Sequence, residues 1–272
     1  VNNLNNDIDI EWLIMDDGST DNTKEVIEAF IKEKKIEIKY YNQKNQGKMV
    51  SINCLVEHAT GDIIINCDSD DYFTNNAFEI IKEEYEKNKN KENIYGLCFL
   101  KYDQNGRNMG NEFKNEITTM FDLYFKEGET GEKSIAFYSN IRKQYKHKLE
   151  NNERFVTEAR MYHEMDKKYK MICINKAIMI CEYQHEGYTN NIMKQFKENP
   201  YGYYEYFKEI LQRDTRGIKF KKRLYVIKHY ILFSYLTKSK KSCVNIKGIQ
   251  DKILYSILYI PGIVKSKIKI KK

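Results

Sequence analysis

The stretch DIIINCDSDD, residues 62–71, runs an apolar segment straight into three carboxylates. A short run of β-branched residues with polar ends predicts a buried strand over 62–67. Asp68, Asp70 and Asp71 then crowd its carboxyl end. Like charges this close are unfavourable unless something cationic neutralises them. A hard divalent cation does so, and Mg²⁺ or Mn²⁺ held by one or two carboxylates plus substrate phosphates fits. Alternation along an extended segment sends Asp68 and Asp70 to one side and Asp71 to the other. Asp70 is therefore the first candidate metal ligand, and Asp68 a ligand of the metal or a contact to a ribose. Asp71 braces them from behind. The plainer alternative is a solvated acidic turn capping a helix that starts near Asn75.

Upstream, EWLIM (11–15) reads as another buried strand, and it too ends in carboxylates, Asp16-Asp17-Gly18-Ser19. Asp17 is placed to accept from a base N–H or a ribose hydroxyl, and Gly18 allows close approach or a positive φ. An ordinary strand-to-helix turn is the alternative, with Asp, Ser and Thr satisfying free N–H groups. Val26, Ile27, Phe30 and Ile31 recur at helical spacing, and residues 36–41 alternate as a strand. Asn45-Gln46-Gly47-Lys48 opens a helix over 50–58, so its N–H groups and the Lys48 ammonium can meet phosphates. Residues 75–88 are predicted helical. Strands alternating with helices argue for βαβ units and a mainly parallel sheet flanked by helices. In such sheets ligands bind beyond the carboxyl ends of the strands, where both acidic clusters fall.

Further on, strands are predicted at 94–102, 134–138, 171–174 and 178–183, with a helix over 153–169. After Pro200 the character changes. Residues 202–212 form an aromatic-rich helix and 219–236 a basic one, while 253–260 is an apolar run that Pro261-Gly262 should break.

The 272 residues carry a net charge of +7 that hides an asymmetry. From Gly217 onward there are fifteen Lys and Arg against one acid, Asp251, giving +14, so residues 1–216 carry 31 against 38, or −7. An acidic body with a basic tail points the tail at an anionic surface. Basic amphipathic segments lie in the headgroup region of anionic membranes, and 217–272 is a candidate for that role; the alternative is an appendage packed on the rest of the chain or on a second subunit. Nucleic acid is not expected, since no aromatic platform accompanies the charge. The six cysteines form no C-x-x-C pair, which suggests a reducing, cytoplasmic setting without a disulfide framework. The polar N-terminus does not read as a signal peptide, and no unbroken apolar stretch reaches roughly 18 residues. A P-loop and a G-x-G-x-x-G are both absent, which removes the main support for an NTPase or a dinucleotide-binding dehydrogenase.

Three segments in this order, EWLIMDDGSTDNT, NQGKMVSIN and ATGDIIINCDSDDYF, resemble the family 2 glycosyltransferases. The resemblance implies a nucleotide-diphospho-sugar transferase-like α/β fold, an inverting sugar transfer from a nucleotide-diphosphate donor, and Mn²⁺ or Mg²⁺ on the D-x-D of Asp68 and Asp70. Donor contacts would come from Asp16, Asp17, Gly18, Ser19, Gly47, Lys48, Asn53, Asp68 and Ser69. A fainter likeness runs to about residue 202 through GEKSIAFYSN, ERFVTEARMYHEMDKKYKMICINKA and CEYQHEGYTNN, and looks like bacterial members that build capsules and other surface glycans. In that subgroup a carboxylate on the acceptor-side helix is the expected base, and Glu158 matches it, with Glu153 as the fallback. Inverting chemistry needs such a carboxylate to take the acceptor proton. Glu186-Gly187 stands where relatives carry Asp-Gly, and Tyr188 and Thr189 are candidate acceptor neighbours.

The resemblance implies a catalytic domain over 1–200, with a donor half at 1–95 and an acceptor half at 96–200, followed by a basic helical tail at 201–272. A lipid-linked or oligosaccharide acceptor would suit an enzyme peripheral to the inner face of the cell membrane. Relatives begin with one more apolar strand, absent here before Glu11, so roughly 30 further upstream residues are expected, enough for a strand and most of a helix. Two other readings compete. One is a sugar nucleotidyltransferase, which would ordinarily show a glycine-rich phosphate loop. The other is a non-catalytic glycan-binding protein on the same fold.

Overall fold

The protein is described from a computed structural model, covering residues 8–182, 192–239 and 242–271. The predicted loop at Glu186-Gly187, Tyr188 and Thr189 lies outside the described residues. Two compact units divide the chain, residues 1–147 with 161–184, and 148–160 with 185–272.

The first unit opens with β1 (Glu11–Asp16), α1 (Thr23–Glu33) and β2 (Glu37–Asn42). β1 and β2 pair in parallel, Trp12 opposite Ile38 and Asp16 opposite Asn42, as a β-α-β crossover requires. There follow α2 (Lys48–His58), β3 (Ile63–Ile65), β4 (Asp71–Phe73), α3 (Ala77–Asn88) and β5 (Ile94–Asp103). Next come β6 (Ile117–Thr118), α4 (Met120–Asp122) running into a π-turn at Leu123–Glu127, β7 (Lys133–Tyr138) and α5 (Ser139–Arg142). α6 (Glu158–Met165) and β8 (Lys170–Cys181) complete the set, the division between the units falling inside α6.

β1 and β2 form a sheet of their own, while the larger sheet runs β3-β7-β5-β8-β4 with β6 also on β8. Its β5–β8 pairing is parallel and its other pairings are antiparallel. The sheet is therefore mixed, where the sequence predicts a mainly parallel one. The alternation of strands and helices governs sequential neighbours such as β1 and β2. It carries no information on β3, whose neighbour β7 arrives much later in the chain and runs the other way.

β5 is the spine of the core. Tyr95, Cys98 and Leu100 pack on one face with Phe137, Met165 and Met171. Ile94, Leu97 and Phe99 pack on the other with Ala77, Ile81 and Ile178. Burial on both faces explains the nearly unbroken apolar run of this strand. Gly96 is required there, because a Cβ would stand 2.4 Å from the Ala136 carbonyl oxygen of β7. The two strands predicted at 171–174 and 178–183 are one, β8, with Asn175 and Lys176 exposed at its middle. Asn175 is held by both backbone groups of Phe113, accepting from its N–H at 2.8 Å and donating to its carbonyl at 3.1 Å.

Glu11 ties β1 to the turn before β3. Its carboxylate accepts from the N–H groups of Thr60 and Gly61 and from Lys39 at 2.9 Å. Burial pushes this carboxyl up, but the amide and ammonium bonds prevail and hold it at about 2.

The second unit is helical, with α7 (Ile192–Glu198), α8 (Pro200–Leu211), α9 (Phe220–Leu236), a 3₁₀ turn at Ser242–Asn245 and α10 (Ile249–Lys271). Phe233 of α9 stacks on Tyr203 and Phe207 of α8, with ring centres 5.1 and 5.7 Å apart. Residues 148–160 belong to this unit, so its extent differs from a boundary at residue 200. The link is specific: the Asn199 carboxamide oxygen accepts from the N–H groups of Arg154 and Phe155. The helix predicted over 153–169 is shorter in the structure, α6 spanning Glu158–Met165. Pro261-Gly262 does not break α10 as predicted. Gly262 faces Ile231, whose Cγ2 would lie 2.9 Å from an added Cβ, so the missing side chain lets α10 lie directly against α9.

Candidate active site

The carboxyl ends of β1 and β3 carry the two acidic clusters, both in the first unit. Asp16, the last residue of β1, is buried and accepts from the Ser19 N–H at 2.7 Å and the Tyr40 hydroxyl at 2.6 Å. The Tyr40 hydrogen bond, with the Ser19 amide behind it, holds this carboxyl at about 2. Asp16 therefore shapes the turn rather than waiting for a ligand. Gly18 sits in that turn at φ +83°, a conformation that favours glycine, and an added Cβ would press on the Asn45 N at 3.0 Å. Ser19 is exposed beside it.

Asp17 reaches across to the loop before α2. One oxygen accepts from the Gln43 side-chain amide at 2.7 Å and the Gln46 N–H at 2.8 Å, and the other accepts from the Gly47 N–H at 2.7 Å. Gly47 caps α2 at φ +95°. One carboxylate thus pins the glycine loop to the end of β1 and points the start of α2 toward the second cluster. Lys48, the first residue of α2, places its ammonium 2.7 Å from Asp68 Oδ2.

Asp68 to Asp71 form a turn closed by the Asp71 N–H on the Asp68 carbonyl at 3.0 Å, with Ser69 and Asp70 at its corners. The segment is not extended, so strand alternation does not decide which side chains share a side. The Asp71 side chain pairs with Lys101 of β5 at 2.9 Å, the two side chains 7% and 11% exposed. Glu132 stands 3.5 Å from the same ammonium, and the Cys181 thiol donates to Asp71 at 3.3 Å. Among the described residues no side-chain hydrogen bond or ion pair engages Asp70.

Two of the three charges are therefore met by lysines, Asp68 by Lys48 and Asp71 by Lys101. This corrects the expectation that a divalent cation is needed to make the cluster tolerable. Among the described residues no group of three or more His, Cys, Asp or Glu side chains is arranged to hold a metal ion. The residues nonetheless fit Mn²⁺ or Mg²⁺, because Asp68 and Asp70 are hard oxygen donors flanking one turn. Such an ion takes one or two carboxylates and completes its shell with phosphate oxygens and water.

Two predicted residues are engaged in the fold. Asn53 donates to the His147 carbonyl and accepts from the His147 N–H, both at 2.9 Å, so both ends of its amide serve the fold rather than a donor. Glu153 is buried in the second unit and caps α8, accepting from the N–H groups of Tyr201 at 2.6 Å and Gly202 at 2.7 Å. Burial raises this carboxyl, and the two amides work against that rise. Both of its oxygens are thus taken up by the start of α8. Glu158 opens α6 and is half-buried. Sequence reading missed Tyr40, Gln43 and Lys101; only Lys101, a lone cation in the apolar run of β5, left a visible signal.

Residues 1–163 match the family described as Glycosyl transferase family 2. The chain belongs to that family. An uncharacterized glycosyltransferase of Rickettsia conorii is 40% identical over 78 residues, 29% of this chain but only 13% of that protein. The present family 2 chain thus spans a small part of that relative. A Campylobacter jejuni protein, GalNAc(5)-diNAcBac-PP-undecaprenol beta-1,3-glucosyltransferase, is 25% identical over 240 residues, 86% of this chain and 75% of that one. Among solved structures, the S. aureus TarS fragment 1–349 aligns over 94% of this chain and 71% of its own, with a TM-score of 0.52 at 14% identity. That likeness is one of fold, and it agrees with a mixed sheet flanked by helices.

Proposed function

We propose that this chain is an inverting glycosyltransferase that moves a sugar from a nucleotide-diphosphate donor to a hydroxyl, with Mn²⁺ or Mg²⁺ on Asp68 and Asp70. The observation that carries the reading is the convergence of the Asp17 loop, Lys48 and the Asp68–Asp71 turn at the ends of β1 and β3. In that reading Asp17, Gly18 and Ser19 receive the nucleoside, and Lys48 with the start of α2 receives the diphosphate. Asp68 and Asp70 would hold the ion, which would supply Lewis-acid stabilisation of the charge on the departing diphosphate. Asp71 keeps the turn in place through Lys101. Glu158 takes the proton of the acceptor hydroxyl as that oxygen bonds the anomeric carbon and the bond to the diphosphate breaks on the opposite face.

The Campylobacter relative acts, by its name, on an undecaprenol-diphosphate glycan. We extend this to a lipid-linked or growing surface-polysaccharide acceptor for the present chain, as in capsule synthesis, at the inner face of the cell membrane.

A thermal-shift panel of nucleoside diphosphates with and without Mn²⁺ tests the donor site. One base should stabilise the protein, and more strongly with metal. Sugar transfer or donor hydrolysis should require Mn²⁺ or Mg²⁺ and vanish in Asp70→Ala, and NMR of the product should show the inverted anomer. Release of pyrophosphate from a sugar phosphate and a nucleoside triphosphate would mark a nucleotidyltransferase instead. Glycan binding without turnover would mark a binding protein.

A further inference from the structure

Within the second unit, the solvent side of α10 is apolar. Ile249, Ile253, Ile257 and Ile260 are 76%, 55%, 65% and 74% exposed. Their spacing of four, four and three residues puts them on one helical face. The opposite side holds Asp251 and Tyr255, both buried. A surface helix ordinarily turns its polar residues outward, so this one is inverted with respect to water. A contiguous exposed apolar face of this kind marks a contact surface.

The charge of the same C-terminal stretch points to the partner. Asp251 is the one acid after residue 216, and its side chain is 1% exposed. It is neutralised inside the unit by Arg223 at 2.6 Å and by the Thr215 hydroxyl at 2.6 Å. Lys219, Lys221, Lys228, Lys247 and Lys252 remain exposed. Asp251 is thus withdrawn from the surface, and among the described residues after 216 the exposed charges are lysines. A second copy would bring a like-charged face against this one. An anionic lipid surface supplies apolar depth for the isoleucines and negative charge for the lysines together. No described helix is long and apolar enough to cross a membrane, so the contact would be in the plane of the headgroups.

We infer that the Ile249–Ile260 face of α10 is a docking surface for an anionic lipid bilayer. It deepens the membrane placement of the proposed function and stands apart from the donor chemistry, which the nucleotide assays test separately.

The test is co-sedimentation of the full chain with vesicles of neutral phosphatidylcholine, or of phosphatidylcholine with phosphatidylglycerol, at low salt and near 1 M salt. The wild type should sediment with the anionic vesicles and be largely released by salt, because screening shortens the reach of charge to about 3 Å at 1 M. Ile253→Gln with Ile257→Gln should lower partitioning roughly tenfold or more, since two apolar side chains lose their burial. Its melting temperature should stay at the wild-type value, both positions being solvent-facing. Absence of wild-type sedimentation overturns the proposal, as does equal sedimentation of the double variant. Sedimentation velocity covers the remaining occupant: a wild-type dimer that the double variant abolishes, without vesicle binding, assigns the face to a second copy and also overturns it.

Discussion

The Lys48 ammonium lies 2.7 Å from Asp68 Oδ2, so the first residue of α2 holds a carboxylate of the D-x-D turn. The pair is only partly screened from solvent, the two side chains being 26% and 46% exposed. A metal on Asp68 and a diphosphate on Lys48 would each take one partner from this bond. Lys48→Ala should therefore raise the Mn²⁺ affinity of the nucleotide-free protein and lower the affinity for a nucleoside diphosphate. An exposed pair is worth at most about 1 kcal/mol, so each change should be within about fivefold. Manganese titration followed by electron paramagnetic resonance reads the first effect and calorimetry the second. Unchanged manganese binding would show that the lysine does not compete for Asp68.

Tyr40 and Asp16 should report on acid stability. With its carboxyl held at about 2, against an ordinary 3.8, Asp16 binds fewer protons folded than unfolded. Its contribution is thus present above pH 3.8 and lost as pH falls toward 2. Tyr40→Phe removes the hydroxyl that donates to it. The variant should be about 1.5–3 kcal/mol less stable at neutral pH, the value for a hydrogen bond to a charged group. That difference should shrink through the same acid window. Urea melts at pH 7, 4 and 2.5 check it, and a constant gap across them would contradict the assignment.

Glu153 and Glu158 should separate cleanly. Glu153→Ala deprives two α8 amides of their acceptor, and the loss of a helix cap costs about 1–2 kcal/mol. Its melting temperature should fall, while the folded fraction keeps its transfer rate. Glu158→Gln should instead reduce transfer per folded molecule by about 10²-fold or more. A Glu153 variant that melts normally but is inactive would return the base to that residue.

The Asp71–Lys101 pair should behave as a buried one. Removing either partner leaves a charge in a site that is 7% or 11% exposed, so Asp71→Ala or Lys101→Met should each cost about 3 kcal/mol. The double variant should lose less than the sum, because no unpaired charge then remains at the pair. Equilibrium denaturation of the four proteins closes the cycle. Additive losses would mean the two side chains do not depend on each other.

The local pattern determined a good deal by itself. Apolar runs at 11–15 and 62–67 ending in carboxylates place both clusters at strand ends, and that follows from chemistry within ten residues. Helical spacing located α1, α3, α8 and α9 for the same reason, and the wording of three short segments was enough for the family. Tertiary structure alone decided which cation faces which carboxylate. Lys48 and Asp68 are 20 positions apart, Lys101 and Asp71 30, and Asn53 and His147 94. No spacing rule connects residues at those separations. The same reason explains Glu153, whose role depends on α8 arriving 48 residues later, and the mixed sheet, in which β3 meets β7. Periodicity reports which face of an element is buried; it does not report what is buried against it.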